Sequence, residues 1–507
     1  MTNIITTPIF YANGAPHLGH AYSGYLADVF KRFHSLTSDN PCCLITGTDE
    51  HGQKILEAAE CSQVGIQQFV DDKAQAFKAL WPELAVQVDV FVRTSEEQHL
   101  KLIQTIWHKL LEKGDVYLGY YQGLYCLGCE QYYTAYELED NCCPIHKTPV
   151  ENKSEETYLF RLDAYRQQLI EHYLNSSDFI TPNYYCQVIL DYLNQGPLED
   201  LSVSRVNIPW GIKVPNHQEH TIYVWIDALF SYITAIQKAG FDLGVLEQTT
   251  HIIGKDILKF HAIYWPALLL AADLPLPKKL IVHGWWTING QKIAKSNPKT
   301  LITPKDLVDK LTCDGLRYAL FRQKHVARDG NIVINELIES INADLANNFA
   351  NLVKRNHTIV LKYFAGNIDA KVISQRALAD ESKLTIQYCE QAINEIFNYY
   401  KQFDFHNASL LLKDTLDHCN RFFHQRAPWE ISKGKDNISV QETCLVISNL
   451  LRLVATAAYP LVPTLARQVL QELGEDIATC QWQSVCDIKS ITINKALSHF
   501  KRLEKEH

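Results

Sequence analysis

The stretch Asn3-Ile-Ile-Thr-Thr-Pro-Ile-Phe-Tyr11, followed after Asn13-Gly14 by His17-Leu-Gly-His20, decides how this chain is read. Its first nine residues are rich in Ile, Thr and aromatics, as a buried strand is. After the turn at Asn13-Gly14, apolar residues recur at Leu18, Tyr22, Tyr25, Leu26, Val29, Phe30 and Phe33, which is helical spacing. The histidines therefore fall where a strand becomes a helix. In open parallel sheets, ligands bind at the carboxyl ends of strands. His17 and His20 share a helix face, Gly19 keeps that face low, and a helix N-terminus favours anions. The cluster suits a nucleotide triphosphate whose phosphates gain negative charge in a transition state. On its own it fits two helix-capping histidines as well.

The alternation continues outward. Pro41 to Ile45 reads as a second short strand, ending in Gly47-Thr-Asp-Glu-His-Gly52, and helical segments follow to about Leu111. Strand, helix, strand, helix predicts a doubly wound α/β sheet. From Asp115 to about His220, cysteine pairs, Gly, Pro and many Tyr mark an insertion. The α/β pattern resumes at Thr221-Ile-Tyr-Val-Trp225, then at His251-Ile-Ile-Gly254 with a helix after it, then at Leu280-Ile-Val-His283. From about Asn335 the chain is expected to be mostly helical, as in Leu450–Tyr459. The predicted segments are 1–115 and 221–290 for the two halves of the α/β domain, 116–220 for the insertion, 291–345 for a loop and connection, and 346–507 for the helical domain.

The chain has 507 residues, 47% hydrophobic and 21% charged, with net charge -9. This is the balance of a soluble globular protein of several domains, and it argues against a non-specific coat for nucleic acid. The N-terminus has no basic region followed by an apolar core, so no secretory signal is expected. The most apolar stretch, Phe260–Leu276, contains His261, Pro266 and Asp273 and reads as a buried element, not a membrane span. Fourteen cysteines in 507 residues are not the density of a disulfide-stapled secreted domain, so a reduced, cytoplasmic protein is expected. Met1 is the only methionine; Leu and Ile substitute for Met at small cost.

Two further clusters carry chemistry. Gly290-Gln-Lys292-Ile-Ala-Lys295-Ser296, before Asn-Pro, is a turn-rich loop whose two lysines could clamp phosphates. Alone it is an ordinary surface loop. In the insertion, Cys126-Leu-Gly-Cys129 and Cys142-Cys143-Pro-Ile-His146 read as C-x2-C-x13-C-x2-H, a four-ligand zinc knuckle. All four positions are filled, so the site is structural, with Cys142 as a competing ligand.

Taken together, HLGH and KIAKS resemble the HIGH and KMSKS motifs of class I aminoacyl-tRNA synthetases, in the same order on an interrupted α/β domain. Ile293 and Ala294 replace Met and Ser of the second motif, while both lysines and Ser296 remain. Pro8-Ile-Phe-Tyr11-Ala-Asn-Gly14, Thr48-Asp49-Glu50-His51-Gly52, Tyr223-Val-Trp225-Ile-Asp227-Ala228 through Tyr232, and His251-Ile-Ile-Gly-Lys255-Asp256 with Phe260-His261 and Trp265 narrow the resemblance to the methionyl-tRNA synthetase family. It runs through nearly the whole chain.

The resemblance implies a Rossmann-like catalytic domain with a zinc-knuckle insertion, followed by an all-α anticodon-binding bundle. It implies that L-methionine and Mg2+-ATP give methionyl-adenylate and pyrophosphate, and that the acyl group then passes to the 3′ end of tRNA(Met). His17, His20, Lys292 and Lys295 would be catalytic. Tyr11, Gly19, Gly254, Lys255, Asp256 and Ser296 would join them around ATP. Asp49 would hold the substrate ammonium, and Ile9, Tyr11, Trp225, Ala228, Tyr232, Ile257, His261 and Trp265 the thioether. Cys126, Cys129, Cys143 and His146 would hold structural Zn2+. Asn351, Arg355 and Trp429 would read the CAU anticodon by stacking and edge hydrogen bonds. The chain ends near where the family's common core ends, so a monomer without membrane attachment is expected.

Other readings remain at this point. A sister synthetase for Leu, Ile or Val would need a larger insertion than these roughly hundred residues, and one for Cys would use zinc in its pocket. A small nucleotidyltransferase with an HxGH motif would leave the helical third without a task. A synthetase-like paralogue with a regulatory or RNA-binding role is kept open by KIAKS, and is opposed by intact HLGH, Asp49 and both lysines.

Overall fold

A computed structural model describes residues 2–126, 131–133, 138–144, 147–206, 208–288, 291–292, 303–371, 378–434, 436–477, 488–495 and 500–505. Strand β1 (Asn3–Tyr11) is central in a six-stranded sheet with β2 (Cys42–Asp49) and β3 (Val90–Arg93) on one side. The insertion supplies an antiparallel sheet of β4 (Val116–Cys126), β5 (Gln131–Tyr133), β6 (Glu151–Phe160) and β8 (Leu201–Ser202), with β7 (Ile180–Thr181) elsewhere. A second antiparallel sheet comprises β9 (Ser204–Val206), β10 (Lys213–Val214) and β11 (His217–Ile222). On the other side of β1 lie β12 (Thr249–Gly254), β13 (Lys279–His283) and then β7. The order β3-β2-β1-β12-β13-β7 is that of a doubly wound sheet, and β12 runs parallel to both β1 and β13. Its strands are buried through Ile4, Ile5, Ile45, Ile252, Ile253 and Ile281, as expected where helices cover both faces. The order reverses between β1 and β12, so the crevice for a ligand opens beyond Tyr11 and Gly254.

The strands expected at 3–11, 251–254 and 280–283 are present, and the helix after the first runs over Leu18–Thr37. Four features depart from the sequence reading. β2 continues to Asp49, so Thr48 and Asp49 form its carboxyl end. β3 interrupts a region read as helical; at four residues it is too short for its period to show. The run Thr221–Trp225 is not one strand. β11 stops at Ile222 and a helix occupies Val224–Lys238, placing Trp225 in its first turn. A buried, continuously apolar run has no period that separates strand from helix. Within the span read as the insertion, β7 pairs with β13 in the parallel sheet.

Contacts divide the chain into two units. One comprises Met1–Pro16, Cys43–Trp81 and Gln87–His283; the other comprises His17–Cys42, Pro82–Val86 and Gly284–His507. In the second, the long helices are Leu18–Thr37, Asp380–Lys401, Phe405–Arg426 and Asn437–Ala458. The last is long and apolar enough to cross a membrane, but 83% of its most apolar window is buried within the protein, as for a core helix. β14 (Trp286–Ile288) joins β15 (Gln291–Lys292) and β16 (Gly330–Ile332) in a small sheet of the same unit. The Phe260–Leu276 stretch is a π-helical turn at Phe260–Tyr264 followed by the helix Trp265–Ala271.

Candidate active site

The carboxyl end of β2 is built by side chains that satisfy one another. Thr48 Oγ1 donates to Glu50 Oε1 at 2.6 Å, and Arg93 Nε donates to the same oxygen at 2.7 Å. Ser95 and the second Arg93 nitrogen serve Oε2, so the fully buried Glu50 carboxylate is saturated. Gly52 sits at φ 109°, a conformation that favours glycine. Between them, Asp49 is 5% exposed, and its carbonyl accepts from Ala12 N at 2.9 Å. That bond ties the end of β1 to the end of β2. His51 Nδ1 donates to Asp227 Oδ2 at 2.6 Å, and His99 Nε2 donates to Asp227 Oδ1 at 2.7 Å. Burial pushes the Asp227 carboxyl up, but His51 and His99 outweigh it and hold it below its ordinary value. One anion thus ties the segment bearing Asp49 to the helix bearing Trp225.

That helix presents Trp225, Ala228 and Tyr232 on one face, at i, i+3 and i+7. His261 and Trp265 follow four apart on the π-helical turn and the helix it enters; π-bulges often occur at functional sites. Tyr232 OH donates to His261 Nε2 at 2.9 Å, because His261 Nδ1 already donates to the Ile257 carbonyl at 3.1 Å. Trp265 Nε1 donates to His251 Nε2 at 3.2 Å, which leaves His251 Nδ1 to donate to Thr6 Oγ1 at 2.7 Å. Burial lowers His261 to about 4 and His251 well below its ordinary value. Both imidazoles are neutral with fixed tautomers, so this wall is aromatic and uncharged. Trp225 stacks on Phe260 with ring centroids 3.6 Å apart, and Ile9, Tyr11 and Ile257 pack against the same core. His251, Asp227 and Glu50 carry roles that the motifs name without explaining, and His99, which holds the second oxygen of Asp227, lies in none of the motifs.

At the end of β12, a Cβ on Gly254 would lie 2.6 Å from Asp256 Oδ1. Only glycine leaves that carboxylate in place. Lys255 is half-buried and Asp256 exposed in the 3-10 turn that follows.

In the other unit, His17 and His20 do cap the helix Leu18–Thr37. Gly19 N donates to His17 Nδ1 at 3.1 Å and His17 N donates to His20 Nδ1 at 3.0 Å, a reciprocal capping box. The rings stack with centroids 3.6 Å apart. Capping and phosphate binding are not alternatives here. An Nδ1 that accepts from the backbone places the ring proton on Nε2, which makes Nε2–H a hydrogen-bond donor. A Cβ at Gly19 would meet the His17 ring at 3.0 Å, so glycine permits the stack. The first turn holds no acidic residue.

Lys292 lies in β15, whose backbone pairs with Thr287 of β14; Lys295 and Ser296 lie outside the described residues. Cys126 and Cys143 are both fully buried in one small cluster with Tyr133, while Cys142 is half-buried. Cys129 and His146 lie outside the described residues. Arg355 lies 4.9 Å from the Trp429 ring centroid and 5.2 Å from that of Phe423. Asn351, one turn before Arg355, is exposed.

Comparison with known proteins fits this geometry. The family described as "tRNA synthetases class I (M)" matches residues 3–148 and 128–357, and "Anticodon binding domain of methionyl tRNA ligase" matches 374–500. The methionine–tRNA ligase of Caldanaerobacter subterraneus is 37% identical over 96% of this chain and 76% of its own length. That of Rickettsia conorii is 36% identical over 93% of each. The Mycobacterium tuberculosis methionyl-tRNA synthetase solved with methionyl-adenylate superposes with a TM-score of 0.92 at 30% identity, covering 99% of this chain and all of that one. The chain belongs to the methionyl-tRNA synthetase family of class I aminoacyl-tRNA synthetases.

Proposed function

We propose that this protein is a methionine–tRNA ligase that forms methionyl-adenylate from L-methionine and Mg2+-ATP and transfers methionine to the 3′ end of tRNA(Met). The observation that carries the reading is the wall of neutral His251 and His261 with Tyr232 and Trp265, in one unit with a buried carboxylate, Asp49, at a strand end. Asp49 pairs with the substrate ammonium. Tyr232, His261, Trp225 and Trp265, with Ile9, Tyr11, Ala228 and Ile257, hold the thioether; sulfur–aromatic contacts contribute about 0.3–1.5 kcal/mol each. A charged wall would reject that apolar chain.

In the first step the methionine carboxylate attacks the α-phosphorus, forming a P–O bond as the bond to pyrophosphate breaks. His17 and His20 donate through Nε2–H to the developing charge, with Lys292 and Lys295 on the phosphates. Gly254 admits the nucleotide, Asp256 accepts from it, and Lys255, Tyr11, Gly19 and Ser296 complete its site. In the second step a ribose hydroxyl of the terminal adenosine attacks the carbonyl carbon and AMP leaves. No side chain becomes acylated. Ile293 and Ala294 leave both lysines of the loop in place, so activity persists.

The two buried thiols, Cys126 and Cys143, fit a zinc knuckle completed by Cys129 and His146; the burial of Cys143 favours it over Cys142 as ligand. Zinc bound there would cross-link the turns of the insertion. Trp429 with Arg355 over its face offers a stacking platform for an anticodon base, and Asn351 an edge partner. The work of such an enzyme lies in the cytoplasm, where tRNA, ATP and methionine meet. ATP–pyrophosphate exchange with each amino acid, without tRNA, tests the reading. Exchange with methionine alone is expected; exchange with another amino acid, or with none in folded, zinc-supplemented protein, overturns it.

A further inference from the structure

A second metal-binding constellation lies in the insertion, apart from the cysteines. Glu156 on β6, and His217 and His220 on β11, each offer a ligand atom within 4.8 Å of the other two. Two histidines three apart on a regular strand face opposite sides. Here the register between β10 and β11 shifts, and the turn at Asn216 takes φ 63°. The rings come together with centroids 4.3 Å apart. His220 is 1% exposed, whereas His217 and Glu156 are half-exposed, so the cluster has one buried anchor and an open side.

Two details go beyond a chance cluster. His220 Nε2 and Glu156 Oε1 are 3.4 Å apart. Two ligands bound tetrahedrally at about 2.0–2.1 Å sit roughly 3.3–3.4 Å from each other. The pair is a long hydrogen bond as it stands, and its span also matches the one a metal imposes. The other nitrogen of each ring is engaged by a hydroxyl: Ser204 Oγ lies 3.0 Å from His220 Nδ1, and Tyr158 OH lies 3.1 Å from His217 Nδ1. Metal-bound histidines almost always donate their second N–H to an oxygen acceptor, usually a carboxylate, carbonyl or water, which fixes ring orientation and tautomer; here hydroxyl oxygens take that place.

We propose that Glu156, His217 and His220 form a site for a divalent transition metal of the zinc class, with solvent completing the coordination. His217 needs only a side-chain adjustment at the protein surface to close it. The metal would pin the start of β11 to β6. The knuckle and the aminoacylation chemistry are independent of it, and its test does not depend on either.

The test is metal content and cobalt spectra of the whole protein, wild type against His217→Ala and Glu156→Gln. Each protein is saturated with Zn2+, freed of loose metal by gel filtration, and analysed by elemental mass spectrometry. Wild type is expected to retain one equivalent more than either variant, whatever the knuckle retains. With Co2+, the difference spectrum should show ligand-field bands without thiolate charge transfer, since these ligands contain no sulfur. Far-UV circular dichroism confirms that the variants fold. Equal zinc content in all three proteins, or a difference spectrum with thiolate character, overturns the proposal.

Discussion

Asp227→Asn asks whether the anion between His51 and His99 holds the proposed methionine pocket together. Asp227 is 1% exposed and accepts from both rings at 2.6 and 2.7 Å. His99 is bound on its far side too, with Nδ1 2.6 Å from Thr234 Oγ1, so it cannot turn away. Asn keeps the shape but has one oxygen for two N–H donors. The ring left facing the amide must change tautomer, and His51, 6% exposed, is the one with room to do so. Hydrogen bonds to charged groups contribute about 1.5–3 kcal/mol and a buried donor left unmet costs about 1–3 kcal/mol. Asp227→Asn is therefore expected to destabilise by about 1–3 kcal/mol. Asp227→Ala strands both donors and opens a void, for about 3–5 kcal/mol. The pH dependence follows from the lowered pKa. A carboxyl held below its ordinary value contributes stability that is fully present above the unfolded value of about 4. That contribution is lost as pH falls through the folded value. The gap between wild type and Asp227→Asn in guanidinium melts should stay constant from neutral pH to about 5 and narrow in stronger acid. His51 is two residues from Asp49, and Asp227 two from Trp225. KM for methionine in exchange assays should therefore rise at least about tenfold, equivalent to about 1.4 kcal/mol of lost binding, and more than KM for ATP. An unchanged melting midpoint together with unchanged KM for methionine would refute the argument.

Three further outcomes can be checked independently. Gly254→Ala puts a Cβ 2.6 Å from Asp256 Oδ1, so the carboxylate must move and KM for ATP should rise several-fold while the melting midpoint changes little; an unaltered KM would show that Asp256 does not face the nucleotide. Asp28 is fully buried and bound at 2.6 Å by both Arg32 and Arg317, so Asp28→Asn leaves two buried guanidiniums with one anion too few and should cost about 3–5 kcal/mol in denaturant titration. Because His261 falls from 6.5 to about 4 on folding, the unfolded chain binds its proton first, and stability should decline as pH drops from about 6.5 to 4, by up to about 3 kcal/mol from this ring; a His261→Phe variant whose melts lose as much stability between pH 7 and 5 as wild type would exclude it.

The contrast between what the chain announces and what it conceals follows from range. The end of a parallel strand is a local event: apolar residues stop, Asn13-Gly14 turns the chain, and a helix begins. HLGH, Thr48-Asp49 and Gly254-Lys-Asp could all be placed this way, and each lies at or just beyond the end of β1, β2 or β12. Trp225 is expected on a strand and lies in a helix, because a buried apolar run carries no period. β3 and β7, with four and two residues, exist only because a neighbouring strand pairs with them. The partners of the pocket are concealed most deeply. Asp227 lies 176 residues from His51 and 128 from His99, and Thr6 lies 245 from His251. No spacing within the chain encodes such pairs; only the assembled fold brings them together. On the proposed function the motif residues act on substrate directly, so their loss should fall on turnover. The concealed residues hydrogen-bond to residues of the motif segments, so on the same reading their loss should fall on stability and on KM for methionine. Asp227 lies within a recognisable motif and acts by the second route, which makes it the residue whose kinetics separate the two.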